Sequence, residues 1–244
     1  LKKILLFSGG LDSVCTLANI HDITDYFVYV HMGLDYQHAE LSKIEETLTQ
    51  LSKKFGSNLM DKFLPIYHDL FDLLEDADEV FIPYRNLMLI LITLKYFNKD
   101  DLSILIGNTL DDRVHDNSKI FIDKSNEFFM STYSKRVSIG SLFSEYSKIA
   151  MVKQTLKNTI LDENDLQKLT FSCFKPSGTT ECLSCKACFR KNVILFDLGI
   201  FRPFYDRSIL QYYSDNLNNF EYPRKTITEN YLKRLSVNYL TGSF

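Results

Sequence analysis

An α/β fold built on a parallel sheet with helices on both faces is predicted from three observations. Short β-type runs alternate with segments of helical periodicity along residues 3 to about 156. The first such run, Ile4-Leu5-Leu6-Phe7, empties directly into Ser8-Gly9-Gly10-Leu11-Asp12-Ser13. Four of the five cysteines then crowd into one short stretch far down the chain.

The elements follow in order. Residues 3–7 read as a buried strand and 13–20 as the helix after it. Tyr26-Phe27-Val28-Tyr29-Val30 is rich in aromatic and β-branched residues, a second strand. Over 38–54 the apolar residues Leu41, Ile44, Leu48 and Leu51 recur at helical spacing. A third strand is expected within 59–67, a strongly apolar helix over 85–97, and a fourth strand over 102–107 that ends at a glycine. Val137-Ser138-Ile139 suggests a short fifth strand, followed by a helix over 145–156. In such sheets ligands bind beyond the carboxyl ends of the strands, where the Ser8 loop would sit.

Composition narrows the class. With 45% hydrophobic and 24% charged residues over 244 positions, the chain reads as a globular protein of one sizeable α/β domain with appendages. A net charge of −3 argues against bulk nucleic-acid binding. No apolar run is long enough to span a membrane, so a cytoplasmic location is the default expectation.

A strand that stops at Ser-Gly-Gly and restarts as a helix directs backbone N–H groups at whatever sits in front of it. Those donors and the helix dipole favour phosphate. Glycine lets the main chain come close to an oxygen. Asp12 and Ser13 add a carboxylate and a hydroxyl, and either is a candidate helix cap.

Cys173, Cys182, Cys185 and Cys188 are spaced C-x8-C-x2-C-x2-C. Four clustered thiols match a closed tetrahedral zinc site, and an iron–sulfur cluster is the competing occupant. Disulfides are disfavoured by the spacing and the expected reducing compartment. With four protein ligands such a metal has no open position, which makes its role structural. Cys15, within the first helix, reads as a small buried hydrophobe.

Together these pieces resemble the 7-cyano-7-deazaguanine synthases, within the PP-loop ATP pyrophosphatases whose loop reads SGGxDS. The Walker A ending Gly-Lys-Ser/Thr is absent. Ser172-Cys173-Phe174 and the run Cys182 to Arg190 resemble that family's S/T-C-Y/F and C-x2-C-x2-C-x2-R. Pro83-Tyr84-Arg85-Asn86 resembles its P-x-R-N. Tyr36-Gln37-His38 with Glu40 resembles its Y-G-Q-x-H without the glycine, and Gly107 with Asp112 fits its G-x4-D. Phe196, Gly199 and Pro203 fit the tail, so the likeness covers residues 3–205.

The resemblance implies a Rossmann-like, adenine-nucleotide α-hydrolase-like sheet over 1–160, a zinc-binding helical subdomain over 161–205, and an aromatic-rich extension over 206–244. It implies adenylation of the carboxylate of 7-carboxy-7-deazaguanine with ATP and Mg²⁺, then amidation by ammonia and dehydration to the nitrile. Ser8, Gly9, Gly10, Leu11, Asp12 and Ser13 would hold ATP, and Asp12 would help to hold Mg²⁺. Arg85 and Lys148 would join Asp12 as catalytic residues; Asn86, Asp112, Asn117 and Lys119 would meet the substrate; the four cysteines would hold Zn²⁺. A homodimer is also implied.

One departure bears on the substrate. Where the family carries Y-P-D-C-R, this chain has His115-Asp116-Asn117-Ser118-Lys119, which changes the donor and acceptor pattern. That change and the extra tail leave room for transfer of the activated deazaguanine to an amine on a partner protein. A tRNA-thiolating enzyme is a third reading. It calls for a basic stripe by the cysteines, where Lys175, Lys186, Arg190 and Lys191 form a modest one.

Overall fold

The structure is a computed structural model that describes residues 1–68, 82–112 and 115–241. The side chains of His115 and of residues 237–241 lie outside that description, and with them Tyr239. Phe244 lies outside it altogether. The chain divides into two compact units, Leu1–Thr170 and Phe171–Phe244.

In the first unit the elements run β1 (Lys2–Leu6), α1 (Leu11–Ile20), β2 (Tyr26–His31), α2 (Gln37–Phe55), β3 (Phe63–Tyr67) and α3 (Arg85–Tyr96). They continue with β4 (Leu102–Leu105), α4 (Lys119–Thr132), β5 (Val137–Gly140), α5 (Lys148–Asn158) and α6 (Glu163–Leu169). The sheet order is β3-β2-β1-β4-β5 and every pairing is parallel. The alternating strands and helices predicted from sequence therefore fold as a Rossmann-like layer. The order turns back on itself between β1 and β4, which makes the carboxyl end of β1 the switch point where ligands bind in such sheets.

Burial explains the placement of the helices. Ile4, Val28, Val30 and Ile104 point to one face and pack with Ile90 and Leu94 of α3 and Ile122 and Phe129 of α4. Leu5 and Phe27 point the other way and are fully buried. There Tyr29 reaches α2, whose Ile44, Leu48 and Leu51 form an inward stripe.

Local chemistry moved several expected boundaries. Residues Leu59–Lys62 are a 3-10 turn rather than strand, and β4 ends at Leu105, before the glycine. Helix α5 begins at Lys148 because the Ser147 hydroxyl accepts from the Ala150 N–H at 3.2 Å. Helix α4 was not anticipated: its core contacts Ile122 and Phe129 are interleaved with exposed Ile120, Phe128 and Met130, which blurs the apolar stripe.

The second unit carries α7 (Lys186–Asp197), α8 (Arg207–Asp215) and α9 (Arg224–Thr241). Its core is aromatic. Phe189 stacks on Tyr213 at 4.1 Å and lies 5.2 Å from Phe204 and 5.6 Å from Tyr231 between ring centroids. Tyr231 also packs on Phe196 and Phe201, and its hydroxyl donates to the Arg202 carbonyl at 2.7 Å. Tyr213 and Tyr231 of the tail thus serve as interior residues of the unit that holds the cysteines; Tyr222 is exposed.

Candidate functional site

The loop after β1 ends at Gly10, whose extended backbone opens α1 with no side-chain cap. Neither Asp12 nor Ser13 caps the helix as expected. The Ser13 hydroxyl instead donates to the Gly10 carbonyl at 3.0 Å, and the Ser8 hydroxyl lies 3.4 Å from both the Gly10 N–H and Ser13 Oγ. Helices α4 to α8 each begin on a side-chain cap, whereas α1, like α2 and α3, begins without one. Two glycines allow this packing. Gly9 takes φ +69°, and a Cβ there would sit 2.9 Å from Ile44 Cγ1. A Cβ on Gly107 would sit 3.1 Å from the Ser13 backbone nitrogen, so glycine is what lets the loop after β4 press on the first turn of α1.

That close approach delivers the charged groups. Lys148 Nζ lies 2.8 Å from Asp12 Oδ2 and 3.6 Å from Asp112 Oδ1, each side chain about a fifth to a quarter exposed (26%, 20% and 18%). Asp112 is itself held by the Thr109 N–H at 2.8 Å. Asp111, a residue sequence reasoning passed over, accepts from the Lys148 backbone N–H at 2.7 Å and so fixes the first turn of α5. Three predicted residues from separate segments thus meet in one partly buried cluster. Two carboxylates, Asp12 and Asp112, share the Lys148 ammonium, and paired carboxylate oxygens are the donor type that suits a divalent cation.

Arg85 opens α3, as the P-x-R-N resemblance implied. Its positive charge lies close enough to the Tyr36 hydroxyl and the Glu40 carboxyl to favour the ionised form of each. Burial pushes the Glu40 carboxyl up to about 7, although Tyr29 donates to it at 2.9 Å. Asn86 is turned toward Asp116: its N–H donates to the Asp116 carboxylate at 2.8 Å and its amide to the Asp116 carbonyl at 3.0 Å. Asn117 accepts through its carbonyl from Asn108 at 2.9 Å. Lys119 is well exposed and pairs with Glu145, apart from the Asp12 cluster's bonds. Gln37 braces the turn after β2. Its amide oxygen accepts from Met32 N–H and Leu34 N–H at 2.7 and 3.1 Å, and its nitrogen donates to Val30 O at 3.1 Å. Cys15 is fully buried, and burial pushes its thiol up to about 12, as befits a small core residue.

In the second unit the sulfurs of Cys173, Cys182, Cys185 and Cys188 all lie within 4.8 Å of one another. Backbone N–H groups point at three of them: Cys182 N–H to Cys173 Sγ at 3.2 Å, Ser184 N–H to Cys182 Sγ at 3.4 Å, and Cys188 N–H to Cys185 Sγ at 3.5 Å. Such bonds favour thiolates, and a tetrahedral ion with roughly 2.3 Å metal–sulfur bonds would draw the sulfurs slightly closer. The donor set fits a structural metal.

Beside the cysteines is a buried ionic triad that the sequence did not disclose. Glu181 accepts from Lys191 at 2.9 Å and Arg202 at 2.7 Å, and from the Ser172 N–H at 2.8 Å. Lys191 is nearly fully enclosed, and burial lowers its amine to about 8. It therefore drops out of the expected basic stripe. Lys186 lies over the Tyr212 ring at 4.8 Å.

A parallel α/β unit with an uncapped Ser-Gly-Gly helix start, joined in one chain to a helical unit with four converging thiols, defines a class: α/β proteins that pair a phosphate-suited loop with a thiol cluster able to hold a metal. Within that class the chain belongs to the family described as Queuosine biosynthesis protein QueC, whose family model matches residues 2–196. It is 28% identical over 221 residues to a 7-cyano-7-deazaguanine synthase of Rickettsia felis, covering 78% of this chain and 95% of that protein. A 7-cyano-7-deazaguanine synthase of Pyrococcus abyssi is 24% identical over 224 residues, covering 78% and 91%. A solved structure titled as a predicted subunit of tRNA methyltransferase from Methanocaldococcus jannaschii superposes with a TM-score of 0.43 at 15% identity, over 68% of this chain and 85% of that one. Among the described residues no helix is long and apolar enough to cross a membrane.

Proposed function

We propose that the chain is a C–N bond-forming ligase that activates the carboxylate of a 7-carboxy-7-deazaguanine-type acid with ATP and carries it to the nitrile. In this reading a carboxylate oxygen attacks the α-phosphorus, pyrophosphate leaves, and ammonia displaces AMP to give the amide. A second activation and loss of water gives 7-cyano-7-deazaguanine. The observation that carries the reading is the meeting of Asp12, Asp112 and Lys148 at the bare start of α1. The family membership and the names of the relatives support it.

The residues divide the work. Ser8, Gly9, Gly10, Leu11 and Ser13 present N–H and O–H donors to the phosphates at the positive end of the α1 dipole. Lys148 balances charge that builds on the α-phosphate and departing pyrophosphate, the electrostatic term that dominates such transfers. Arg85, close to Tyr36 and Glu40, offers a planar fork to a carboxylate or phosphate. Asn86, Asn117 and Lys119 lie on or near the segment that would meet the deazapurine. Mg²⁺, held by Asp12 and Asp112, would neutralise phosphate charge. Zn²⁺, held by the four cysteines, would supply structure alone, since no ligand position stays open. A multi-iron cluster binds its cysteines to separate irons and suits more widely spread sulfurs than these.

The test is product analysis with purified, zinc-loaded protein, ATP, Mg²⁺, the deazapurine acid and ammonium. AMP, pyrophosphate and free nitrile are expected by mass spectrometry. A deazaguanine adduct on a protein amine with no free nitrile would redirect the reading to conjugation. Absence of AMP with any deazapurine acid would end it.

A further inference from the structure

His31, at the carboxyl end of β2, has a buried donor that the protein does not use. Its Nδ1 accepts from the Gly33 N–H at 3.2 Å, which leaves the ring proton on Nε2. Nε2 is buried and meets no hydrogen-bond partner among the described residues, with the residue as a whole only 9% exposed. Buried ring N–H groups are almost always satisfied, so an orphan at a ligand-binding edge asks for an explanation. Burial and the neighbouring His38 hold the imidazole below the usual histidine range, so it stays a neutral donor.

Its surroundings are flat and aromatic. The rings of His38 and Tyr67 lie 4.9 and 5.5 Å away between centroids. His31 pairs in register with Tyr67, and its carbonyl accepts from the His68 N–H at 2.8 Å, so strand geometry fixes the ring. His38 and Tyr67 are both exposed, whereas the orphan donor lies inside. The bonds of Gln37 to Val30, Met32 and Leu34 hold the turn that carries this cluster.

We infer that His31 is a specificity-determining residue that donates from Nε2 to a ring-nitrogen or carbonyl acceptor of a purine-type base lying among His38 and Tyr67. A flat heterocycle matches the aromatic walls, and a neutral donor selects an uncharged acceptor over phosphate. Two sources share that chemistry: the adenine of ATP and the deazapurine acid. The inference rests on the proposed function, because that reading brings both bases to this sheet edge.

Two measurements on the full-length, zinc-loaded protein test it. In ¹⁵N-resolved spectra of histidine-labelled protein, saturation with ATP or with the deazapurine acid should shift the His31 Nε2–H resonance downfield; the ligand that does so identifies the base. In calorimetry, His31→Phe should weaken that same ligand about 3- to 10-fold, the effect of one neutral hydrogen bond, and leave the other unchanged. His31→Gln should recover part of the loss. Wild-type protein that binds both ligands with an unmoved Nε2 resonance, or His31→Phe that is folded and binds both within twofold of wild type, overturns the inference while the proposed function stands. Wild-type protein that binds neither ligand overturns both.

Discussion

The two units build their special sites in opposite ways. The cluster at the start of α1 gathers Asp12, Asp112 and Lys148 from segments up to 136 residues apart, which the parallel sheet brings together. The cysteine site draws its four ligands from one local stretch, and they fold around an aromatic cluster and a buried ionic triad. A site assembled from distant strands is a consequence of the fold. A site assembled from neighbours in sequence, once loaded with a metal, supplies folding energy of its own.

The largest effect should come from taking the metal away. Chelation, or Cys188→Ala, should unfold the second unit, because structural zinc supplies on the order of 10 kcal/mol. Limited proteolysis should then cut within 171–244 first while fragments of 1–170 persist. Simultaneous digestion of both units would show that they do not differ in this way.

Next comes the triad. Glu181→Ala leaves Lys191 and Arg202 with an uncompensated buried charge, which costs about 3–5 kcal/mol. Chemical denaturation should register it, and adding Lys191→Met should recover part. The same charge removal on Lys119, exposed and paired only with Glu145, should change stability by less than about 1 kcal/mol.

In the first unit the loss should fall on rate. Lys148→Ala is expected to lower kcat for AMP formation about 100-fold or more, with a melting temperature within a few degrees of wild type. A comparable loss of folding stability would place Lys148 among structural ions instead.

A further effect is pH-dependent and concerns Glu40. Its carboxyl is raised to about 7 in the folded protein, above its ordinary value near 4.5. The folded state therefore binds the extra proton, and the contribution is complete below about pH 4.5 and is lost as pH rises through about 7. Glu40→Gln should match wild type in melting temperature near pH 4.5 and exceed it near pH 8. Parallel curves would show that the carboxyl is not held in a desolvated setting.

How much of this was legible in the sequence follows from the same contrast. Ser8–Ser13 and the cysteine spacing are local signals, and both mark features the fold makes distinct: an uncapped helix start and four converging sulfurs. The β-branched and aromatic runs likewise marked the strands. What sequence could not give was pairing at a distance. Nothing in the sequence announces the partners of Asp111 and Asp116, the Lys148 N–H and Asn86. Lys191 entered only a basic stripe and Glu181 carried no signal, because burial of an ion pair leaves no periodic trace. Tyr213 and Tyr231 stood out only as part of an aromatic-rich tail, since nothing in the chain reveals that Phe189 packs against them.

Isotope transfer tests the adenylation chemistry most directly. Zinc-loaded protein is given the deazapurine acid labelled with ¹⁸O in its carboxylate, together with ATP, Mg²⁺ and ammonium. Attack of that oxygen on the α-phosphorus should deliver one ¹⁸O into AMP at every turnover that forms the amide. Label appearing in inorganic phosphate beside ADP, with unlabelled AMP or none, would contradict it.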